Sequence, residues 1–336
     1  MADDITKRIA RFIEPFRVSP GSSVKLARDF DPAFKAGIKK KKDGAVLLKE
    51  GIELLSDYQS RLAAEDTYGV LVVLQALDAA GKDGTIRHVM SGVNPQGVRV
   101  ESFKVPSARE LDQDFLRRYQ KRLPSRGEIG IFNRSHYEEV LVVRVHPQNL
   151  LRQKLPVATR EHHVWKSRYD AINDWERYLS DNGFRIVKLF LNLSKEEQRL
   201  RFLRRIDLPD HNWKFSTHDV EERRSWDAYQ EAFSDMFSHT STPWAPWYVI
   251  PADRKWFARI AAGAVIAHAL IEIDPQYPTV GDDARRDLEA AKAQLEMEAP
   301  DRAAPDPFER QQTRGEPSNG DATHVTAAER LRQEQG

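Results

Sequence analysis

The chain has no cysteine, which removes disulfides and thiolate metal sites from any account of it. It also has almost no net charge, since 52 Lys and Arg face 51 Asp and Glu. No bulk attraction to nucleic acid is expected, and any polyanion has to be held by local clustering. No apolar run in the sequence approaches the roughly 20 residues a membrane span needs, and the first residues lack the apolar stretch of a signal peptide. A cytoplasmic chain with no membrane and no nucleic-acid partner is therefore expected. Aromatic residues disappear after Tyr277: residues 281–336 contain only Phe308. Such a tail buries too little apolar surface to order itself, although 282–296 can form a solvated helix.

What the chain does have is length and alternation. Its 336 residues, 40% of them hydrophobic, suffice for one large α/β domain or two smaller ones. Residues 1–44 read as an irregular arm, with Pro15, Pro20 and Pro32 as breakers and Lys39, Lys40, Lys41 and Lys42 near its end. A helix over 45–64 precedes strands at 70–75, 98–104, 128–132, 185–191 and 247–250. Helices are expected between and after them at 109–120, 160–181, 195–205, 220–237 and 256–273. Near-continuous apolar strands alternating with helices imply a parallel sheet covered on both faces. The expected division is an arm over 1–44, a domain over 45–279 and a tail over 280–336.

Ligands in such sheets sit at the carboxyl ends of the strands. The first strand runs into Ala76-Leu77-Asp78-Ala79-Ala80-Gly81-Lys82-Asp83-Gly84-Thr85, a tight turn that opens a helix. Backbone N–H groups, the helix N-terminus and Lys82 then converge on one spot and cradle phosphate. The usual phosphate loop, G-x-x-x-x-G-K-[ST], is broken twice, by Ala76 in place of the first Gly and by Asp83 in place of the hydroxyl that binds Mg²⁺. A metal would need another hard oxygen, and Asp78 is the candidate. The third strand delivers Asn133 and Arg134 where an acid usually holds the metal, so Asn133 is at best a neutral oxygen ligand. Arg134 suits bidentate contact with phosphoryl oxygens, or else a salt bridge to Glu138 or Glu139.

After the fourth strand come Arg201, Arg204 and Arg205, then Trp213 and Lys214, within a charged segment whose centre, about 205–224, reads as a mobile lid closing over phosphate. A merely solvated helix pair is the alternative. Trp213 is the better candidate for contact with an adenine base. His136, His162 and His163 read as structural rather than catalytic. Lys39 to Lys42, Lys104, Arg117, Arg118, Lys121 and Arg122 offer a basic track.

The strings Leu77-Asp78-Ala79-Ala80-Gly81-Lys82-Asp83-Gly84, Phe132-Asn133-Arg134-Ser135-His136-Tyr137, Trp213-Lys214, Trp226-Asp227-Ala228-Tyr229 and Trp247-Tyr248-Val249-Ile250-Pro251-Ala252 together resemble the family-2 polyphosphate kinases over about residues 20–275. That resemblance implies a three-layer phosphate-loop kinase fold like thymidylate kinase, with a helical lid and Mg²⁺ dependence. It also implies transfer of the terminal phosphate of inorganic polyphosphate to AMP or ADP. Asn133-Arg134, where many members carry Asp-Arg, is similar to the branch that uses both acceptors. Asp78, Lys82 and Arg134 would be catalytic and Asp78 the metal ligand. Ala79, Ala80, Gly81, Asp83, Gly84, Thr85, Asn133, Arg201, Arg204, Arg205, Trp213 and Lys214 would bind phosphate or nucleotide. A homo-oligomer is expected. An ATP-dependent nucleotide kinase and a non-catalytic polyphosphate-binding protein remain rival readings.

Overall fold

A computed structural model describes residues 2–161 and 163–298, with backbone alone at 2–4, 158, 161, 211, 213 and 214. Helix α1 (Ala2–Ile13) is followed by an extended segment and by α2 (Lys41–Glu65). Then come β1 (Gly69–Gln75), α3 (Lys82–Val89), β2 (Val98–Ser102) and β3 (Ile129–Asn133). The remaining regular elements are α4 (Val164–Asp181), β4 (Phe184–Asn192), α5 (Lys195–Asp207), α6 (Thr217–Glu222), α7 (Trp226–Thr240), β5 (Trp247–Pro251) and α8 (Lys255–Ile273). Residues as far as Pro278 form one body, and helix α9 (Asp282–Met297) belongs to a separate C-terminal unit in which every described residue is exposed. The rest of the expected tail lies outside the described residues, as does His162.

The five strands pair in the order β2-β3-β1-β4-β5, all parallel. Strand alternation sends their side chains into two cores. On one face Val70, Val72, Leu74, Ile131, Leu189 and Ile250 pack against α1, α2, α3 and α8. On the other, Leu71, Val73, Phe132, Phe190 and Trp247 pack against α4 and α7. β1 is central and buried along its whole length, so its end, where the phosphate loop begins, stands on the most constrained strand of the sheet.

Two expectations change. Residues 1–44 are not uniformly irregular: α1 forms ahead of Pro15, and its Phe12, with Phe16 in the turn that follows, packs against Phe257 of α8. The extended stretch after it then shields the β5 edge, with Val18 N–H donating to Trp247 O at 2.9 Å and Arg17 bridged antiparallel to Tyr248. Helix α8 is also long and apolar enough, over 19 residues, to cross a membrane by length and composition. The sequence reading, which found no such run, missed it because Lys255, Arg259 and Glu272 flank or interrupt the apolar residues. In the fold it is the core helix of one face, buried at Phe257, Ala261, Ala262, Val265 and Leu270.

Breaks within expected helices have local causes. The stretch 109–120 becomes two short turns, Ala108–Leu111 closed by a Ser107/Glu110 capping box and Arg117–Gln120. The 220–237 helix is interrupted by a 3-10 turn at Arg223–Ser225, and 160–181 is split at His163, which adopts a left-handed backbone before α4.

Candidate active site

The loop between β1 and α3 turns on two residues of positive φ, Ala79 (64°) and Gly81 (104°). Glycine takes such a conformation freely, and alanine does so at a cost. The Lys82 ammonium lies back along the loop and donates to Ala76 O at 2.8 Å. Burial pushes its pKa below that of ordinary lysine and Arg134 adds to the fall, while Asp78, Glu138 and Asp83 oppose it. A phosphate placed here would relieve that strain on the charge.

Arg134 also sits at positive φ (63°), with its N–H donating to Leu74 O, so the residue after β3 is tied to β1. Its guanidinium reaches Asp78 Oδ1 at 3.3 Å and Glu138 Oε2 at 3.9 Å. Burial alone would lower its pKa, but Glu138 and Asp78 outweigh that and hold it higher. Burial pushes the Glu138 carboxyl up, against the pull of Arg134 and Lys82. Lys82, Asp78, Arg134 and Glu138 thus form one alternating set of charges over the loop. The Asn133 amide donates to Asp83 Oδ1 at 2.8 Å, linking the end of β3 to the residue that replaces the usual hydroxyl. Thr85, one turn into α3, is buried.

The arginines expected over the site divide into separate roles. Arg201 is not a lid residue: it is 3% exposed and its five N–H groups are all engaged. Nη1 donates to Ala79 O and Ala80 O at 3.1 and 2.8 Å, Nη2 to Ala252 O and Asp253 O at 2.6 and 3.3 Å, and Nε to Glu197. It has no donor left for substrate phosphate, and instead bolts the phosphate loop to the loop after β5. Gln198, one turn earlier, donates to Asp78 O at 3.0 Å and accepts from Arg223. Arg204 is exposed beside Glu197, and Arg205 lies 3.7 Å from Asp219, joining α5 to α6. Burial, reinforced by the charge of Asp78, raises the Asp219 carboxyl, so α6 brings an acid toward the phosphate loop. Trp213 and Lys214 fall in a 3-10 turn, and their side chains lie outside the described residues.

Gln75, Gln198 and Asp219 were missed in the sequence, and Glu138 was read there only as an alternative salt-bridge partner for Arg134. The signals were a glutamine closing an otherwise apolar strand, and Gln198 at helical spacing before Arg201. Gln75 donates to Ser135 Oγ, which also accepts from Tyr137 N–H. His136 is fully buried, with Nε2 3.1 Å from Glu176. Lys188, in the middle of β4, donates to the same glutamate, to Tyr137 Oη and to Thr240 O. This buried network underpins the turn that carries Asn133 and Arg134.

Comparison with known proteins shows the family. The sequence profile of polyphosphate kinase 2 matches residues 37–279. The ADP-polyphosphate phosphotransferase of Rhodopseudomonas palustris is 48% identical over 284 residues, 83% of this chain and 97% of that protein. The AMP/ADP-polyphosphate phosphotransferase of Meiothermus ruber is 46% identical over 79% of this chain and 96% of its own. The crystal structure of polyphosphate kinase 2 from Arthrobacter aurescens superposes with a TM-score of 0.75 at 40% identity, covering 85% of this chain and 96% of that one. With its phosphate loop, its Arg134 turn and a profile match across the sheet and its helices, the chain belongs to the polyphosphate kinase 2 family.

Proposed function

We propose that this protein moves the terminal phosphate of inorganic polyphosphate onto AMP and ADP, forming ADP and ATP. The observation that carries the reading is the convergence of Lys82, Arg134 and Asp78 on a strained phosphate loop, in a member of a family whose relatives bear polyphosphate phosphotransferase names.

An oxygen of the acceptor's terminal phosphate attacks the end phosphorus of the donor. The new P–O bond forms as the bridging P–O bond of the chain breaks, and the shortened polyphosphate leaves as an anion. The nucleophile is already an anion, so no general base is needed. The burial of His136 against Glu176 agrees with that. What the protein supplies is alignment and neutralised charge. Lys82 leaves Ala76 O to meet the transferring oxygens, and Arg134 spreads over them from the opposite side. Arg201 keeps the loop from shifting.

Among the described residues no group of three or more acidic or histidine side chains could hold a metal by itself. Mg²⁺ at phosphoryl-transfer sites takes one or two carboxylates and completes its shell with water and substrate phosphates. The donor set here fits that pattern. Asp78 would hold the ion with phosphate oxygens, and the ion would neutralise charge on the anhydride. Asn133 carries no charge of its own beside the acceptor's terminal phosphate, which favours acceptors of different charge.

Incubating the protein with AMP, long-chain polyphosphate and Mg²⁺, with no ATP added, tests this directly. ADP should appear first and ATP after it. Accumulation of ADP alone, with no ATP from added ADP either, would sink the dual-acceptor reading. Turnover only with ATP as donor would make it a nucleotide kinase of the ordinary kind, and no turnover a binding protein.

A further inference from the structure

The helix expected over 220–237 breaks at one place. α6 ends at Glu222, and the 3-10 turn Arg223–Ser225 comes before α7. Inside a regular helix the side chains of two neighbours point about 100° apart. At this break Glu222 and Arg223 instead reach two different parts of the fold.

Glu222 reaches the segment that follows β3. Its carboxylate lies 2.9 and 3.0 Å from His146 Nε2 and accepts from Tyr229 Oη of α7 at 2.8 Å. His146 follows the helical turn Val142–Val145, and that turn is fixed in its own right. Val143 is buried, and Arg144 donates to Tyr169 Oη of α4 at 2.9 Å and pairs with Asp235 of α7. The end of α6 is therefore anchored on the stretch that carries Arg134 and Glu138.

Arg223 reaches the start of α5. Its Nη1 donates to Lys195 O at 2.6 Å and to Gln198 Oε1 at 2.9 Å. The buried Gln198 carries the contact further, since its Nε2 donates to Asp78 O at 3.0 Å. These are tertiary contacts and not the local closure of a turn: 76 residues separate Glu222 from His146, and 120 separate Gln198 from Asp78.

What α6 brings to the site is Asp219. A capping box with Ser216 fixes the start of the helix, and Arg205 of α5 lies 3.7 Å from the Asp219 carboxylate. Burial would lower the pKa of Arg134, but Glu138, Asp78, Tyr229 and Asp219 outweigh it. Asp219 and the tyrosine that holds Glu222 thus both act on the Arg134 charge.

Resting on the kinase reading above, we propose that Glu222 and Arg223 are positioning residues, which tie α6 at once to the Arg134 segment and to the Asp78 loop and so hold Asp219, with its partner Arg205, against the site. Neither residue touches the transferring phosphate. Lys82 and Arg134 grip the donor from backbone that is held independently, by Arg201 and by Leu74 O. Loss of the tie therefore acts on alignment during transfer more than on donor binding.

The test compares Glu222→Ala, Arg223→Met and the double variant with the parent. Each single variant should lower kcat about tenfold with the donor KM changed by less than about twofold. The melting temperature should fall by less than about 4 °C, since neither side chain belongs to a hydrophobic core. Both ties are needed to fix one helix, so the double variant should lose little more than either single one. Hydrogen exchange reads the tie without turnover: amides of Thr217–Glu222 should exchange about tenfold faster in each variant. Parental exchange, near-parental kcat, a donor KM that rises as kcat falls, or fully additive losses overturn the proposal. So does a loss of kcat that follows melting temperature from variant to variant. A parent protein that transfers nothing from polyphosphate to AMP or ADP would instead defeat the kinase reading, while the exchange measurement still decides whether Glu222 and Arg223 hold α6.

Discussion

At the scale of single residues, the site is a balance of charges held slightly out of their comfortable states. Lys82 is pushed toward neutrality by burial and by Arg134, and Arg134 sits at a backbone angle that non-glycine residues avoid. The penalty on Lys82 diminishes when phosphoryl oxygens arrive. Lys82→Ala should leave the melting temperature nearly unchanged, since the side chain contributes charge rather than packing, and should lower the rate by about 10²-fold or more. The sign of the pH effect follows. Free Lys82 has a depressed pKa and donor phosphates raise it, so donor binding takes up a proton at alkaline pH. The KM for polyphosphate should therefore rise with pH through the free lysine's pKa, and Lys82→Arg should move that limb upward. Near-parental turnover of the alanine variant would mean that the loop only shapes the backbone. These roles were legible in the sequence because glycine, lysine and aspartate stood at fixed offsets after an apolar strand. The Asn133–Asp83 bond was not, because it depends on how two distant segments meet, whereas Glu138 was legible as a salt-bridge partner of Arg134 four residues on.

At the scale of elements, the difference between expectation and structure lies in α5. Its arginines lie within one turn and read as a mobile lid, yet Gln198 and Arg201 point down onto the carbonyls of Asp78, Ala79, Ala80, Ala252 and Asp253. A basic pattern on a helix does not say whether its donors will meet phosphate or backbone, and only the position of the phosphate loop decides. Strands such as β1 and β4 were read correctly for the opposite reason: their burial is written as near-unbroken apolar runs, whereas the order β2-β3-β1-β4-β5 was not expected from the sequence. Arg201→Met keeps the volume of the stem while removing all five donors. It would orphan four loop carbonyls. Turnover should fall by about tenfold or more with the acceptor and donor KM both raised, because the phosphate loop loses its tether at two points. Parental kinetics would mean that Gln198 and the turn itself hold the loop unaided.

At the scale of the whole molecule, the sheet's two faces are sealed differently, and one of them contains a group of ions where apolar packing would be expected. Lys188 and Glu176 are fully buried, in contact with His136, Tyr137 and Thr240 O across β4, α4, α7 and the turn after β3. Burial opposes the charge on Glu176, but Lys188 and His136 outweigh it and hold the carboxyl below the usual range. Burial lowers His136, and its Nδ1 has no hydrogen-bond partner among the described residues. The ring is thus neutral, with its proton on Nε2 facing Glu176. Breaking such a set by removing one partner is costly because the other charge stays buried. Glu176→Gln should destabilise the protein by about 3–5 kcal/mol, measured by denaturant unfolding. The pH dependence has a definite sign. The unfolded chain protonates its histidine and glutamate at higher pH than the folded one does. The stability that His136 and Glu176 contribute is therefore complete above the ordinary histidine value of about 6.5, and is lost as pH falls through their lowered folded values. Parental protein should lose stability steadily on acidification below that point. Glu176→Gln should show a shallower decline, since one depressed group is gone. A variant of unchanged stability, or one with the same acid slope as the parent, would show that the network is not the element tying the Arg134 turn to the core.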